Sequence, residues 1–226
     1  MRGLAIAGMF TTALIGCPAF AQETGLYVGG HLGAVVSAET DQDYTPGAGA
    51  GTTGNISTDH ELGVDGSAFV GYDFGAFRVE AEAGYMSAGI EGFTSNFLTP
   101  GPTAAGSHSA SGDVKARRVM VNAMFDVGGF NDFAFFIGGG AGVAKFEVSG
   151  MASSGSSAAL DDEDSDWRFA WQGIAGVRKP LTSNIDAHVR YRYFNVSDAE
   201  MTGFGGRAVT TELTTHSVEA GITFNF

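Results

Sequence analysis

Apolar and polar residues alternate along eight segments of this chain. The clearest is the last, from His216 to Phe226, in which every second residue is apolar: Val218, Ala220, Ile222, Phe224 and Phe226. The other segments lie at about 26–36, 62–74, 77–88, 114–127, 133–148, 167–178 and 185–196. Because successive side chains of a strand point to opposite faces, this period of two predicts eight β-strands, each with one apolar and one polar face.

The connections between the segments alternate between short and long. Tight turns are predicted at 75–76, 128–132 and 180–184, whereas long connections rich in Gly, Ser, Thr and Asp occupy 38–61, 89–113, 149–166 and 197–211. Short turns at one end and long loops at the other are typical of membrane-spanning barrels. We therefore predict an all-β, eight-stranded, antiparallel up-and-down transmembrane barrel with both termini at the short-turn end. The run Gly138 to Gly140 predicts a β-bulge in the fifth strand.

The aromatic residues indicate that the apolar faces point outward, toward lipid. Near the short turns lie Phe74, Phe77, Phe133, Phe224 and Phe226, and toward the long loops lie Tyr85, Trp167, Phe169, Tyr191 and Tyr193. Two groups of rings that flank an aliphatic band fit the two interfaces of a membrane. Periodicity alone leaves one rival, a soluble lipocalin-like barrel whose apolar faces would line a ligand cavity.

The polar faces carry a nearly balanced set of charges. The predicted interior residues are Arg78, Glu80, Glu82, Arg118, Asp126, Arg168, Arg178, Asp186, Arg190, Arg192 and Glu219. An eight-stranded barrel is only wide enough for side chains to fill its interior, and charges buried there must be paired. The sequence therefore predicts a network of ion pairs that plugs the barrel rather than an open pore.

The N-terminus has the features of a secretory signal. An arginine precedes an apolar run from Leu4 to Gly16, and Ala19 to Ala21 forms a small-residue cleavage site. We expect a signal peptide over 1–21, a barrel domain over 22–226 and export to the outer membrane of a Gram-negative cell. The residues before Cys17 also resemble a lipobox, which leaves open whether this cysteine is lipidated or lost with the signal.

Charge and motifs narrow the function further. The 226-residue chain has a formal net charge of −13, and nucleic acid is bound through Lys and Arg, so we expect no nucleic-acid partner.

The Gly49–Gly54 segment matches G-x-G-x-x-G but neither follows a strand nor precedes a helix pattern, which indicates a flexible loop. The acidic run 161–166 lacks the Gly and Glu of an EF-hand loop. A solvated outer loop is the simpler interpretation, and a weak divalent-cation site is the alternative.

The histidines suggest two kinds of chemistry. His216, Ser217 and Glu219 invite a hydrolase interpretation, but adjacent residues point to opposite faces of a strand, which argues against a triad. His31 and His188 are both expected to face inward, where they could bind haem or a metal or form ordinary hydrogen bonds. We therefore predict no catalytic residues, no metal site and no cofactor.

The chain resembles the OmpA-like or opacity-type outer-membrane barrels, a family that includes 25-kDa-class surface proteins of alphaproteobacteria. The resemblance covers the whole mature chain and rests on the sequences at 26–30, 71–74, 189–193 and 221–226. It implies a monomeric, non-catalytic surface protein with an envelope-integrity role. It also implies contacts with outer-membrane lipid, lipopolysaccharide and the barrel-assembly machinery, which would recognise Phe224 and Phe226. The loops, chiefly 38–61 and 149–166, would meet host or phage ligands.

Two other functions stay open at this point. The barrel could bind haem or conduct a small solute. It could also modify lipid A, since deacylases of this fold carry a His-x-Ser pattern.

Overall fold

The computed structural model describes residues 24–44, 54–60, 62–95, 106–153, 156–162, 167–203 and 207–226. These residues form ten strands: β1 (Gly25–Tyr44), β2 (Gly54–His60), β3 (Gly63–Asp73), β4 (Phe77–Ser95), β5 (Gly106–Phe130), β6 (Phe133–Ser153), β7 (Ser156–Asp162), β8 (Arg168–Pro180), β9 (Ile185–Gly203) and β10 (Arg207–Asn225). The predicted signal peptide and Cys17 lie outside the described residues.

Eight of the strands form a closed wall. Their order around the wall is β1, β3, β4, β5, β6, β8, β9 and β10, and β10 pairs with β1 to complete the circuit. β2 lies between β1 and β4 beyond the end of β3, and β7 pairs with β6. All of these pairings are antiparallel, so the predicted eight-stranded antiparallel barrel is confirmed.

The three tight turns lie at one end of the barrel, together with Gly25 and the C-terminus, as the sequence predicts. We call this the short-turn end and the opposite end the long-hairpin end. β5 runs on to Phe130, so the second turn is only Asn131 and Asp132, with φ angles of 48° and 65°. Positive φ at both central residues is the geometry of a type I′ turn, whose twist matches that of the flanking strands.

Most of the predicted long loops are paired strands, so that part of the prediction was wrong. β1 and β2 stay paired as far as Tyr44 and Gly54, and β4 and β5 as far as Ser95 and Gly106. Pairing satisfies backbone N–H and C=O groups that a loop would leave to water, and the many Thr residues suit strands. The short segments 45–53, 96–105, 154–155, 163–166 and 204–206 lie outside the described residues.

The predicted bulge at Gly138 to Gly140 is also wrong. The pairings of β6 with β5 and with β8 pass through these glycines without a register shift. An added Cβ at Gly140 would lie 2.0 Å from Asn122 Oδ1, and one at Gly138 would lie 2.6 Å from Met124 Cγ. These glycines therefore make room for large side chains that cross the interior from β5.

The apolar faces of the strands point outward. Leu32 is 72% exposed and Val121 is 60% exposed, and the rings of both predicted aromatic groups lie on the same outer wall. Near the short-turn end the rings of Phe74 and Phe77 stack at a centroid distance of 4.6 Å. The apolar-out prediction is confirmed. Within the part of the chain that the structure describes, no helix has the length and apolarity needed to cross a membrane.

Candidate functional site

The centre of the barrel is filled by a network of buried charges around Glu82. Its carboxylate accepts hydrogen bonds from Arg190 Nη2 at 3.1 Å and Arg118 Nε at 3.4 Å. Arg192 Nη2 lies 2.7 Å from Glu82 Oε1, and Asn122 Nδ2 donates to Oε2 at 3.1 Å. Four donors from β5 and β9 thus converge on one carboxylate of β4, which ties opposite sides of the wall together.

Two further carboxylates complete this central network. Glu219 pairs with Arg190 and, at 3.1 Å, with Arg192. Asp65 accepts a 2.6 Å hydrogen bond from Arg118 and a 3.2 Å bond from the Ser217 hydroxyl. The central network therefore comprises three guanidinium groups and three carboxylates, Asp65, Glu82, Glu219, Arg118, Arg190 and Arg192, and it is electrically neutral. Neutrality lets charges with 2% exposure or less persist in the interior.

A second network lies toward the short-turn end. Arg178 contacts Asp126 at 2.7 Å, Asp73 at 3.8 Å and Asp186 at 4.0 Å. Arg78 also reaches Asp126, at 3.4 Å. These residues come from β3, β4, β5, β8 and β9, so this short-turn network crosses the barrel near its end.

Apolar side chains occupy the interior on the other side of the central network. On strands that also carry a buried charge, all of them except Met120 lie nearer the long-hairpin end than that charge, and Met120 is the register partner of Glu82. This apolar cap comprises Val35, Ala38, Met86, Ala116, Met120, Ala144, Ala170, Phe194, Val196 and Leu213. The guanidinium of Arg118 lies 5.6 Å from the centroid of the Phe194 ring, where the central network meets the apolar cap. The interior is thus filled in layers along the barrel axis.

The structure places the predicted interior residues on the inner face of the wall. Those of the central and short-turn networks contact one another as described. Glu80 lies between the two networks and accepts a 3.0 Å hydrogen bond from the Tyr27 hydroxyl. Arg168 is half-buried at the start of β8, where it pairs in register with the buried Ala144.

Sequence reasoning missed three members of the interior. Asp65, Asp73 and Tyr27 are all buried, at 1%, 4% and 1% exposure. Tyr27 and Asp73 each lie between two apolar residues of the outer face, and Asp65 lies between Val64 and Gly66, so the strand alternation places all three inside. The alternation in the sequence was therefore sufficient to predict all three as interior residues.

The side chains of the two inward-facing histidines, His31 on β1 and His188 on β9, contact each other inside the barrel. The ring centroids of His31 and His188 are 4.6 Å apart, and His31 Nδ1 lies 3.1 Å from Ser67 Oγ. An open cavity of about 1050 Å³ is lined by His31 and His188 together with outward-facing residues that include Leu32, Val189 and Ile222. Among the described residues, no group of three His, Cys, Asp or Glu side chains is arranged to hold a metal ion.

The adjacent pair His216 and Ser217 points in opposite directions, as the strand geometry predicts. Ser217 is fully buried and bonds to Asp65 inside the barrel. His216 lies on the outer face, where its Nδ1 contacts the Tyr191 hydroxyl. The two side chains cannot share a substrate in this arrangement. Most of the Gly49–Gly54 and 161–166 motifs lies outside the described residues.

Solved structures with the same fold come from Gram-negative outer membranes. Neisserial surface protein A and OprG from Pseudomonas aeruginosa are each 16% identical, with TM-scores of 0.51, and the matches cover 91% of this chain and 100% and 97% of those proteins. The outer membrane protease OmpT from Escherichia coli is 8% identical with the same TM-score, over 92% of this chain and all of that one. These identities show the fold alone.

No curated protein sequence matches the chain significantly. A family model described as the outer membrane protein beta-barrel domain matches residues 7–226. This match, together with the barrel fold, confirms the resemblance to OmpA-like and opacity-type barrels and indicates a Gram-negative outer membrane location. The chain belongs to the outer membrane protein beta-barrel domain family.

Proposed function

We propose that this protein is a non-catalytic structural barrel of the outer membrane that supports envelope integrity and presents surface hairpins for recognition. The observation that carries the proposal is the layered interior. Its charged groups are committed to one another, as at Glu82, whose carboxylate is contacted by four donors from β5 and β9. A side chain held in this way is not available to turn over a substrate.

The proposal includes the path to the membrane and the contacts made there. Residues 1–21 act as a cleaved signal peptide, and Phe224 and Phe226 act in recognition by the barrel-assembly machinery. The monomeric barrel then contacts lipopolysaccharide and lipid, while segments 38–61 and 149–166 meet host or phage ligands. The pairing of β1 with β2 and of β6 with β7 supports this role, because it extends the described parts of both segments beyond the apolar band.

A deletion strain would test the structural role. Cells that lack the protein are expected to become sensitive to detergent and to bulky antibiotics. Complementation with the full chain should restore resistance, and so should a chain in which 45–53 and 149–166 are replaced by short turns. If the trimmed chain folds but fails to restore resistance, the barrel is not the functional part and the structural proposal is wrong.

The same trimmed chain separates the two halves of the proposal. It should lose binding of a phage or host-cell surface that the full chain binds, while resistance to detergent stays intact. Heat-modifiability on a denaturing gel checks that both chains form barrels in the outer membrane.

The histidine pair and its open cavity favour a second candidate function, binding of haem or a small apolar solute. His31 and His188 are 7% and 8% exposed and lie beside the 1050 Å³ cavity. Haem titration of the folded barrel should then give a shifted Soret band that is lost in His31→Ala and His188→Ala. An unshifted Soret band in the folded wild-type barrel would eliminate haem as the ligand.

A further inference from the structure

Three basic residues of the outer wall lie close together near the long-hairpin end. Lys115, Arg117 and Lys145 alternate with the buried Ala116 and Ala144, so they project outward from β5 and β6. Arg117 and Lys145 are direct register partners, and Lys115 is two residues nearer the long-hairpin end. This basic cluster stands out in a chain whose net charge is −13.

The basic cluster lies at the border of the apolar band. The next outward-facing register pair toward the short-turn end, beyond Arg117 and Lys145, is Val119 and Val143. These two side chains are 51% and 42% exposed. Tyr85 pairs with Arg117 on its other side. An aromatic ring next to a cation at the edge of an apolar band marks the level at which lipid headgroups lie.

The charges of the basic cluster are only partly balanced within the wall. Arg117 contacts Glu147 at 3.7 Å, but the side chains are 62% and 33% exposed, and such surface pairs are weak. Glu147 is also the register partner of Lys115, so one carboxylate faces two cations, and Asp113 lies one pair further toward the long-hairpin end. The three cations thus outnumber the acid placed among them.

An open groove of about 640 Å³ adjoins the basic cluster. Arg117 lines it together with Tyr85, Val119 and Trp167, and its floor is made of small residues that include Ala68 and Ala83. A basic rim above an apolar groove matches an amphiphile with an anionic headgroup and an acyl chain.

We propose that Lys115, Arg117 and Lys145 bind the phosphate groups of one outer-leaflet lipopolysaccharide molecule, with an acyl chain in the adjoining groove. The proposal rests on the proposed function, because it requires the long-hairpin end to lie in the outer leaflet. Lipopolysaccharide is the occupant that fits, since phosphates at this height meet the cations while its acyl chains face the exposed valines below.

Native mass spectrometry of the folded barrel in detergent would test this site. The probe is purified lipid A with both phosphates, and the comparison is the same lipid after phosphatase treatment. The wild type should retain phosphorylated lipid A, whereas the triple variant K115Q/R117Q/K145Q should bind it at least about tenfold more weakly. Removing the phosphates from the lipid should weaken its binding to the wild type by at least as much as the triple substitution weakens binding of the phosphorylated lipid. Equal binding of the two lipids would overturn the proposal.

Two controls make the test specific. Lys179 lies on the outer wall at the short-turn end, 4.9 Å above the Phe133 ring, so Lys179→Gln should bind lipid A as the wild type does. Ala83→Leu fills the groove without changing charge and should weaken lipid A binding, and unchanged binding would rule out the acyl chain placement. Millimolar inorganic phosphate should not displace the lipid, and displacement would instead indicate a general phosphate site.

Failure of this site can be told apart from failure of the proposed function. A triple variant that shows a heat-modifiable band and restores detergent resistance, but binds lipid A like the wild type, refutes the lipid site alone. If the purified wild type binds lipid A as expected but the deletion strain keeps full detergent resistance, the structural role alone is refuted.

Discussion

Replacing Glu82 by Gln tests whether the central network stabilises the barrel. The substitution keeps the size of the side chain but leaves three guanidinium groups facing two carboxylates, Asp65 and Glu219. The Gln amide keeps one acceptor oxygen, so either Arg192 loses its 2.7 Å acceptor or Arg190 loses its 3.1 Å acceptor, and both arginines lose a partner of opposite charge. Removing one member of a buried ion pair typically costs about 3–5 kcal/mol. We therefore expect Glu82→Gln to lower the free energy of unfolding by that amount.

The measurement is urea unfolding of the barrel in zwitterionic lipid vesicles, followed by tryptophan fluorescence. The free energies are comparable only if the slope of the transition with urea is the same for each variant. A second variant, Arg192→Gln, should be destabilised to a similar extent. The double variant Glu82→Gln/Arg192→Gln restores neutrality, so its loss should be smaller than the sum of the two single losses by about 1 kcal/mol or more.

A matched surface variant provides the control. Arg117→Gln removes the exposed 3.7 Å pair with Glu147 and should change stability by no more than about 1 kcal/mol. The reasoning fails if Glu82→Gln costs no more than this surface change. It also fails if the losses of the two single variants simply add in the double variant, since the pair would then contribute no coupling.

Three further changes have predicted outcomes. Gly142→Ala places a Cβ 2.1 Å from the Val119 carbonyl oxygen and should lower the urea midpoint clearly, whereas Gly173→Ala, with nothing within 4 Å, should leave it nearly unchanged. Asp132→Val puts a β-branched residue at a φ of 65° and should cost about 1–2 kcal/mol in the same titration, while Asp132→Gly should cost little. Phe226→Ala should slow the appearance of the heat-modifiable band in cells without lowering the stability of the refolded barrel, and a normal rate of appearance would contradict its role in assembly.

The sequence predicted which side of the wall each residue faces far better than which residues meet. Alternation assigns Glu82 and Arg190 to the interior, but they are 108 positions apart in the chain and contact each other only across the barrel. That contact depends on the stagger of all eight strands, which no single segment encodes. The charges were therefore predictable as a set, whereas their division into central and short-turn networks was not.

The errors have a common physical origin. Gly138 to Gly140 and the Ser- and Thr-rich segments beyond Ser37 were read by local propensity, which favours bends and loops for these residues. In the barrel each has a partner strand, and pairing overrides the local preference. Asp65 was overlooked for the opposite reason: its alternation was correct, but it stands alone between an apolar residue and a glycine.

The interior glycines leave the space that the interior charged side chains occupy. A Cβ at Gly84 would lie 2.6 Å from Arg118 Cζ, and one at Gly33 would lie 2.8 Å from Glu219 Cγ. The large charged side chains can cross the barrel because the residue opposite has no side chain. Alanine at either glycine should therefore disturb the central network much as a charge substitution does, even though it removes no hydrogen-bonding group. If the layered interior is what makes this barrel a rigid scaffold, the positions of its glycines matter as much as those of its arginines and carboxylates.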